Sequence, residues 1–201
     1  MTLYMDNIKV KNIFAAVFEK KALDPLLAVL DPKEVKFWGT EGTVKYLKSK
    51  GFSAESVVSG FDFDGRLKSI NKQVFARILA DRSKKSHILE LSKLASQGEA
   101  LQGWKAGMEP FDLIIVDLYP LDKKNFPESM DIGGQALIRA AIKNYKNVAL
   151  AFDPASIKEL VEHLKANQGR SLLEFRKAQA KKAAKFIAER TKLEADLFKN
   201  Q

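Results

Sequence analysis

Short apolar runs alternate with helical patterns along most of this chain, and one run, Phe111-Asp-Leu-Ile-Ile-Val116, is apolar enough to be buried on both faces. A strand of that kind needs a neighbour along each edge and a covering layer over each surface. The surrounding segments supply both. Ile13–Phe18, Val35–Trp38, Ser56–Val58 and Asn147–Phe152 read as further strands. Helical patterns cover about Ala22–Leu30, with Asp24-Pro25 near its start, and about Val44–Lys50, ended by Gly51. Ser156-Ile-Lys-Glu159 reads as a capping box for a helix to about Ala166, and a last helix covers roughly Leu172–Phe198. This order predicts a three-layer α/β fold, a mainly parallel sheet flanked by helices, in a single domain over residues 1–201. In such sheets ligands bind beyond the carboxyl ends of the strands. The segments to inspect are Glu19-Lys20-Lys21, Gly39–Thr43, Asp117-Leu-Tyr-Pro120 and the loop before Asp131.

Composition narrows the chemistry. The chain has no cysteine, which removes disulfides and thiolate chemistry. His87 and His163 are its only histidines and lie far apart, so neither a histidine-rich metal site nor a serine–histidine triad is expected. Acid–base work falls to Asp, Glu, Lys or Tyr. No run approaches the roughly 18 apolar residues that span a bilayer. Met1–Val10 contains Asp6 and no apolar stretch, so no secretory signal is read there, and the expected compartment is the cytoplasm. The net charge of +9 invites a nucleic-acid reading. Much of the excess, however, is Arg170, Arg176, Lys177, Lys181, Lys182, Lys185, Arg190, Lys192 and Lys199, interleaved with apolar residues at helical spacing. The expectation is a solvated face on an amphipathic helix, with no nucleic-acid partner and no membrane.

Four motifs carry candidate chemistry. Asp131-Ile-Gly-Gly-Gln135 sets a carboxylate on a glycine turn that continues as a helix, with Arg139 and Lys143 four residues apart on one face. A helix start of this kind offers N–H donors to an anion; an ordinary capped helix with a basic face is the bland alternative. Gly39-Thr-Glu-Gly-Thr43 follows a strand and opens a helix, which suits a phosphate or a plain N-cap turn equally. Arg66 and Lys68 alternate in Gly65-Arg-Leu-Lys-Ser69, so an extended backbone would aim both to one side; an exposed turn paired with Asp62 or Asp64 reads as well. Asp117-Leu-Tyr-Pro120 ends the most apolar strand, and Pro120 holds Tyr119 extended, either to meet a ligand or to pack on the rim.

Taken in order, Gly-Arg-Leu-Lys-Ser, Asp-Leu-Tyr-Pro and Asp-Ile-Gly-Gly with Arg-Ala-Ala-Ile-Lys-Asn resemble the cyclohydrolase half of the bifunctional aminoimidazole-carboxamide ribonucleotide transformylase/inosine monophosphate cyclohydrolase. The resemblance runs from about Ile13 to Phe198. It implies a methylglyoxal-synthase-like fold with no transformylase domain. It also implies closure of 5-formamidoimidazole-4-carboxamide ribonucleotide to inosine monophosphate with loss of water, the last step of de novo purine biosynthesis, without metal or cofactor. By resemblance Lys20, Thr40, Gly42 and Thr43 hold the 5′-phosphate, with Arg66 nearby. Lys68, Tyr119, Asp131 and Lys143 take the catalytic places, and Ser69, Gly133 and Gly134 touch the substrate. A homodimer is compatible with the family, and a separate transformylase would supply the substrate.

Several positions depart from that family. Lys68-Ser-Ile-Asn-Lys72 replaces Lys-Thr-Leu-His-Pro; Asp117 replaces an asparagine; Phe18-Glu-Lys-Lys21 replaces Ser-Asp-Lys-Thr; Glu41 replaces a glycine. The Asp117 charge would disturb the substrate or be met by Lys68 or Lys143. Two other readings share parts of the pattern: a methylglyoxal-synthase-like phosphate lyase, and a regulatory nucleotide-binding domain without turnover.

Overall fold

The computed structural model describes residues 6–58, 70–96 and 108–199. After a short strand β1 (Asn7–Lys9), the apolar runs become β2 (Asn12–Ala16), β3 (Lys36–Gly39), β4 (Ser53–Ser56), β5 (Leu113–Val116) and β6 (Ala149–Ala151). They form one parallel sheet in the order β4-β3-β2-β5-β6. Every residue of β5 is buried, as its unbroken apolar run requires of a strand covered on both faces.

Strand alternation divides the core into two layers. Ile13, Ala15, Phe37 and Leu113 face one helical layer, made of α1 (Asp24–Leu27), α2 (Glu41–Ser49) and α6 (Pro154–Ala166) through Leu26, Leu47 and Leu160. Phe14, Trp38 and Ile114 face the other. There α3 (Lys72–Leu79), α5 (Ile132–Lys143) and α7 (Leu173–Lys199) contribute Ile78, Leu137 and Ile187. The helix α4 (Lys85–Ser96) adds Leu91 to the same layer. This is the expected three-layer α/β arrangement. Among the described residues no helix is long and apolar enough to cross a membrane.

The chain runs outward from β2 through β3 to β4, then returns to place β5 on the other side of β2. The reversal opens a crevice between the carboxyl ends of β2 and β5, the position at which open α/β sheets take ligands.

Several boundaries differ from the sequence reading. Pro25 fits only the first turn of a helix, so the predicted Ala22–Leu30 helix is α1 preceded by a separate 3-10 turn at Lys20–Leu23. The strand expected at Ser56–Val58 is β4, which ends at Ser56. The capping box belongs to Asp153 and Ser156 rather than Ser156 and Glu159. The Ser156 amide donates to Asp153 Oδ1 at 2.7 Å and the Asp153 amide to Ser156 Oγ at 2.9 Å, which starts α6 at Pro154. Finally, β1 pairs antiparallel with β7 (Arg170–Leu172) in a two-stranded ribbon apart from the main sheet.

Candidate functional site

Asp131 is the N-cap of α5, and its side chain does two things. Oδ1 accepts the Gly134 amide at 2.6 Å, and Oδ2 accepts the Tyr119 amide at 3.3 Å. The first bond satisfies one of the orphan donors of the helix start. The second ties that start to the loop after β5. Gly134 is needed for this: a Cβ there would lie 2.6 Å from Asp131 Oδ2 and 2.6 Å from Leu118 Cδ2. Gly134 therefore supports Asp131 with its committed N–H. The amides of Ile132 and Gly133 make no bond to any described residue, and both residues line the cleft.

That cleft has a volume of about 1080 Å³ and lies at the reversal point of the sheet. Its walls include Val17 and Phe18 after β2, Thr40 after β3, Asp117, Tyr119 and Pro120 after β5, and Asp131 to Gly134. Burial raises the Asp131 carboxyl above its ordinary range, against the Gly134 and Tyr119 amides and the charge of Arg190, while Asp117 adds to the rise. Burial also raises the Tyr119 phenol, helped by Asp131 and Asp117, which favours its protonated form.

Asp117 is not met by Lys143, which stands at the far end of α5, and Lys68 lies outside the described residues. The Asp117 carboxylate accepts the amides of Phe18 and Glu19, the latter at 3.0 Å, and so fixes the turn leaving β2. Lys20 donates to the Phe18 carbonyl at 2.9 Å, and its ammonium stands 3.9 Å from where a Gly42 Cβ would be. Gly42 lies in the first turn of α2, whose N-cap, Thr40, makes no side-chain cap bond. A cation, uncapped helix amides and the Thr40 hydroxyl thus lie near one another beside the cleft, which Thr40 lines, an arrangement suited to an anion. Glu41, at the start of the same helix, is exposed. Thr43 is different: fully buried, its hydroxyl accepts the Val17 amide at 3.3 Å, so it braces β2 against α2.

Lys143 is not at this cleft. It is the last residue of α5, and eleven residues of helix separate it from Ile132, about 16 Å at 1.5 Å per residue. It cannot reach Asp131 of its own chain, which corrects the expectation that one site unites them. Arg139 is exposed and likewise outside the cleft lining. Arg66, Lys68 and Ser69 lie outside the described residues. Asn71, where the family carries histidine, caps α3 by accepting the Gln73 amide at 2.8 Å. Among the described residues no group of three or more His, Asp or Glu side chains converges as metal ligands would.

Some contributors escaped the sequence reading. Arg190, expected on a solvated face, donates through Nη2 to the Tyr119 carbonyl at 2.8 Å and through Nε to Glu194 at 3.2 Å. Gln135 of α5 donates to the same Glu194 oxygen at 2.8 Å. Arg176 is also buried, donating to the Tyr145 and Lys146 carbonyls at 3.1 and 3.0 Å. The available signal was spacing: Arg176, Ala180, Ala183, Ile187 and Glu194 share the buried stripe of α7.

No protein-family model matches the chain. It is 33% identical to the bifunctional purine biosynthesis protein PurH of Rhizobium rhizogenes, in an alignment covering 89% of this chain and 33% of that protein. The protein of the same name from Cutibacterium acnes is 32% identical over 87% of this chain and 33% of its own length. The chain thus spans about a third of the length of these curated relatives. Among solved structures, ForH superposes with a TM-score of 0.73 at 27% identity, covering 94% of this chain and 96% of that one. This agreement fits the methylglyoxal-synthase-like fold.

Proposed function

We propose that this chain acts in purine biosynthesis as an inosine monophosphate cyclohydrolase, closing 5-formamidoimidazole-4-carboxamide ribonucleotide with loss of water. The observation that carries the reading is Asp131, a buried carboxylate of raised pKa beside the unengaged amides of Ile132 and Gly133 and the protonated Tyr119. The homology to PurH proteins supports it.

The carboxamide nitrogen attacks the formyl carbon and gives a proton to Asp131. The raised pKa makes that carboxylate a better base than an ordinary aspartate. Charge develops on the former formyl oxygen, where the helix-start amides and the Tyr119 hydroxyl are available as donors. The Tyr119 hydroxyl protonates this oxygen, Asp131 then returns its proton, and the hydroxyl leaves as water. The C=N bond forms as the former formamide nitrogen gives its hydrogen back to Tyr119 as a proton. Two N–H hydrogens and one oxygen leave in total, so the step needs no oxidant. Lys20, Gly42 and Thr40 hold the phosphate, and Arg66, Lys68 and Ser69 add contacts in the same reading. Because the attack is intramolecular, positioning supplies much of the acceleration.

Incubating the folded chain with the formylated ribonucleotide and following inosine monophosphate by chromatography tests the proposal. Product is expected. Tight nucleotide binding with unchanged substrate would instead favour a regulatory domain.

A further inference from the structure

Phe18 carries an inference that rests on the reading just given and deepens it. This large apolar side chain is 48% exposed, directly after β2, on the wall of the cleft. Its backbone is held on both sides. The Phe18 and Glu19 amides donate to Asp117, and the Phe18 carbonyl accepts Lys20. Its ring meets the Tyr119 ring edge-on, with centroids 5.4 Å apart at 69°. The Lys20 ammonium lies over the Phe18 ring, 5.9 Å from its centroid. The ring is thus in reach of both the cation near Gly42 and Tyr119, whose amide bonds Asp131. A ligand whose anion sits at Lys20 and whose reacting groups sit at Asp131 passes close to this ring. The family that the chain resembles has serine at this place, a hydroxyl donor where this chain presents a π-face.

We propose that Phe18, backed by Tyr119, is a specificity-determining surface that receives the planar heteroaromatic part of a phosphorylated ligand. A flat unsaturated ring gains dispersion and stacking on such a face. A sugar phosphate of the same charge has no π-face and gains little. The cleft thereby selects nucleoside monophosphates over simple phosphate esters, although both reach Lys20.

Isothermal titration of inosine monophosphate, ribose 5-phosphate and inorganic phosphate into wild type, Phe18→Ser and Phe18→Trp tests this. Phe18→Ser is expected to weaken inosine monophosphate about 10- to 100-fold, on the scale of one base–aromatic stack, and to leave the other two probes unchanged. Phe18→Trp is expected to keep nucleotide affinity. Nucleotide binding unaltered in Phe18→Ser, or all three probes weakened alike, overturns the proposal. So does a wild type that binds inosine monophosphate no better than ribose 5-phosphate. Turnover of the formylated ribonucleotide by wild type is scored separately. Turnover with Phe18→Ser binding unaltered overturns the role of Phe18 alone. Ring-selective binding without turnover overturns the cyclohydrolase reading and leaves the role of Phe18 supported.

Discussion

Arg190, on the long C-terminal helix, donates to the backbone carbonyl of Tyr119 at 2.8 Å, so a residue 71 positions away holds the loop that presents the phenol to the cleft. The same guanidinium pairs with Glu194, and these side chains are only 12% and 7% exposed. Removing one partner of a largely buried pair strands the other, typically at a cost of about 3 kcal/mol or more. Arg190→Ala is therefore expected to lower the melting temperature and slow turnover together. Arg190→Met with Glu194→Leu separates the effects, because an apolar pair recovers stability without restoring the bond to Tyr119. Calorimetry should find near-native stability and kinetics should find turnover still depressed; full recovery of turnover would assign the pair a structural role only.

Gly134 gives a second test. A Cβ there meets Asp131 and Leu118 at 2.6 Å, below any real contact distance. Gly134→Ala must move the Asp131 carboxylate or the Leu118 side chain, an overpacking strain of about 1–3 kcal/mol. We expect a folded but less stable protein whose turnover falls about 100-fold, the scale of losing one well-placed group. Wild-type kinetics in this variant would show that the position of Asp131 is not critical.

The pH dependence follows from two raised pKa values. Asp131 must be ionised to accept the amide proton, so kcat/KM should fall on acidification at a pH above the ordinary aspartate value of 3.8. Tyr119 donates only when protonated, so its alkaline limb should lie above 10.0. Stability runs the other way for Asp131. The folded state holds this proton more tightly than the unfolded chain, so its contribution declines as pH rises from the ordinary value through the raised one. A pH–rate profile whose acid limb sits at the ordinary aspartate value would contradict the burial argument.

Lys143 poses a sharper question. The resemblance gives it a catalytic place, while α5 separates it from Asp131 by about 18 Å. Both statements hold only if Lys143 serves the cleft of a second copy. Asp131→Asn and Lys143→Ala should then each be inactive alone, and mixing them should restore about a quarter of wild-type activity, because half the dimers are hybrids with one intact site. A mixture as inactive as its components would contradict this arrangement.

Much of the architecture was legible where one physical requirement dominates a segment. Leu113–Val116 can only be a doubly covered strand, and Asp131 before two glycines can hardly avoid capping a helix. The three-residue strands β1 and β7 carry too few side chains for alternation to register. Charged residues on α7 misled for another reason. Arg176 and Arg190 are satisfied by backbone carbonyls of distant loops, partners that leave no trace in composition or charge pattern. Thr43 looked like a phosphate donor because a hydroxyl at a helix start suits that task, and only the packing of β2 against α2 reveals that Val17 occupies it. Phe18 registered only as a missing serine, since its value as a surface depends on the neighbouring ring of Tyr119.

The central claim is that the Asp131 carboxylate moves the protons of ring closure. The most direct measurement is single-turnover conversion of the formylated ribonucleotide by wild type and by Asp131→Asn, an isostere that can still accept the Gly134 amide and keep its helix capped. Rapid formation of inosine monophosphate by wild type, with a loss of about 100-fold or more in the variant at unchanged nucleotide affinity, is the predicted result. Equal rates in the two proteins, or no product from either, would contradict it.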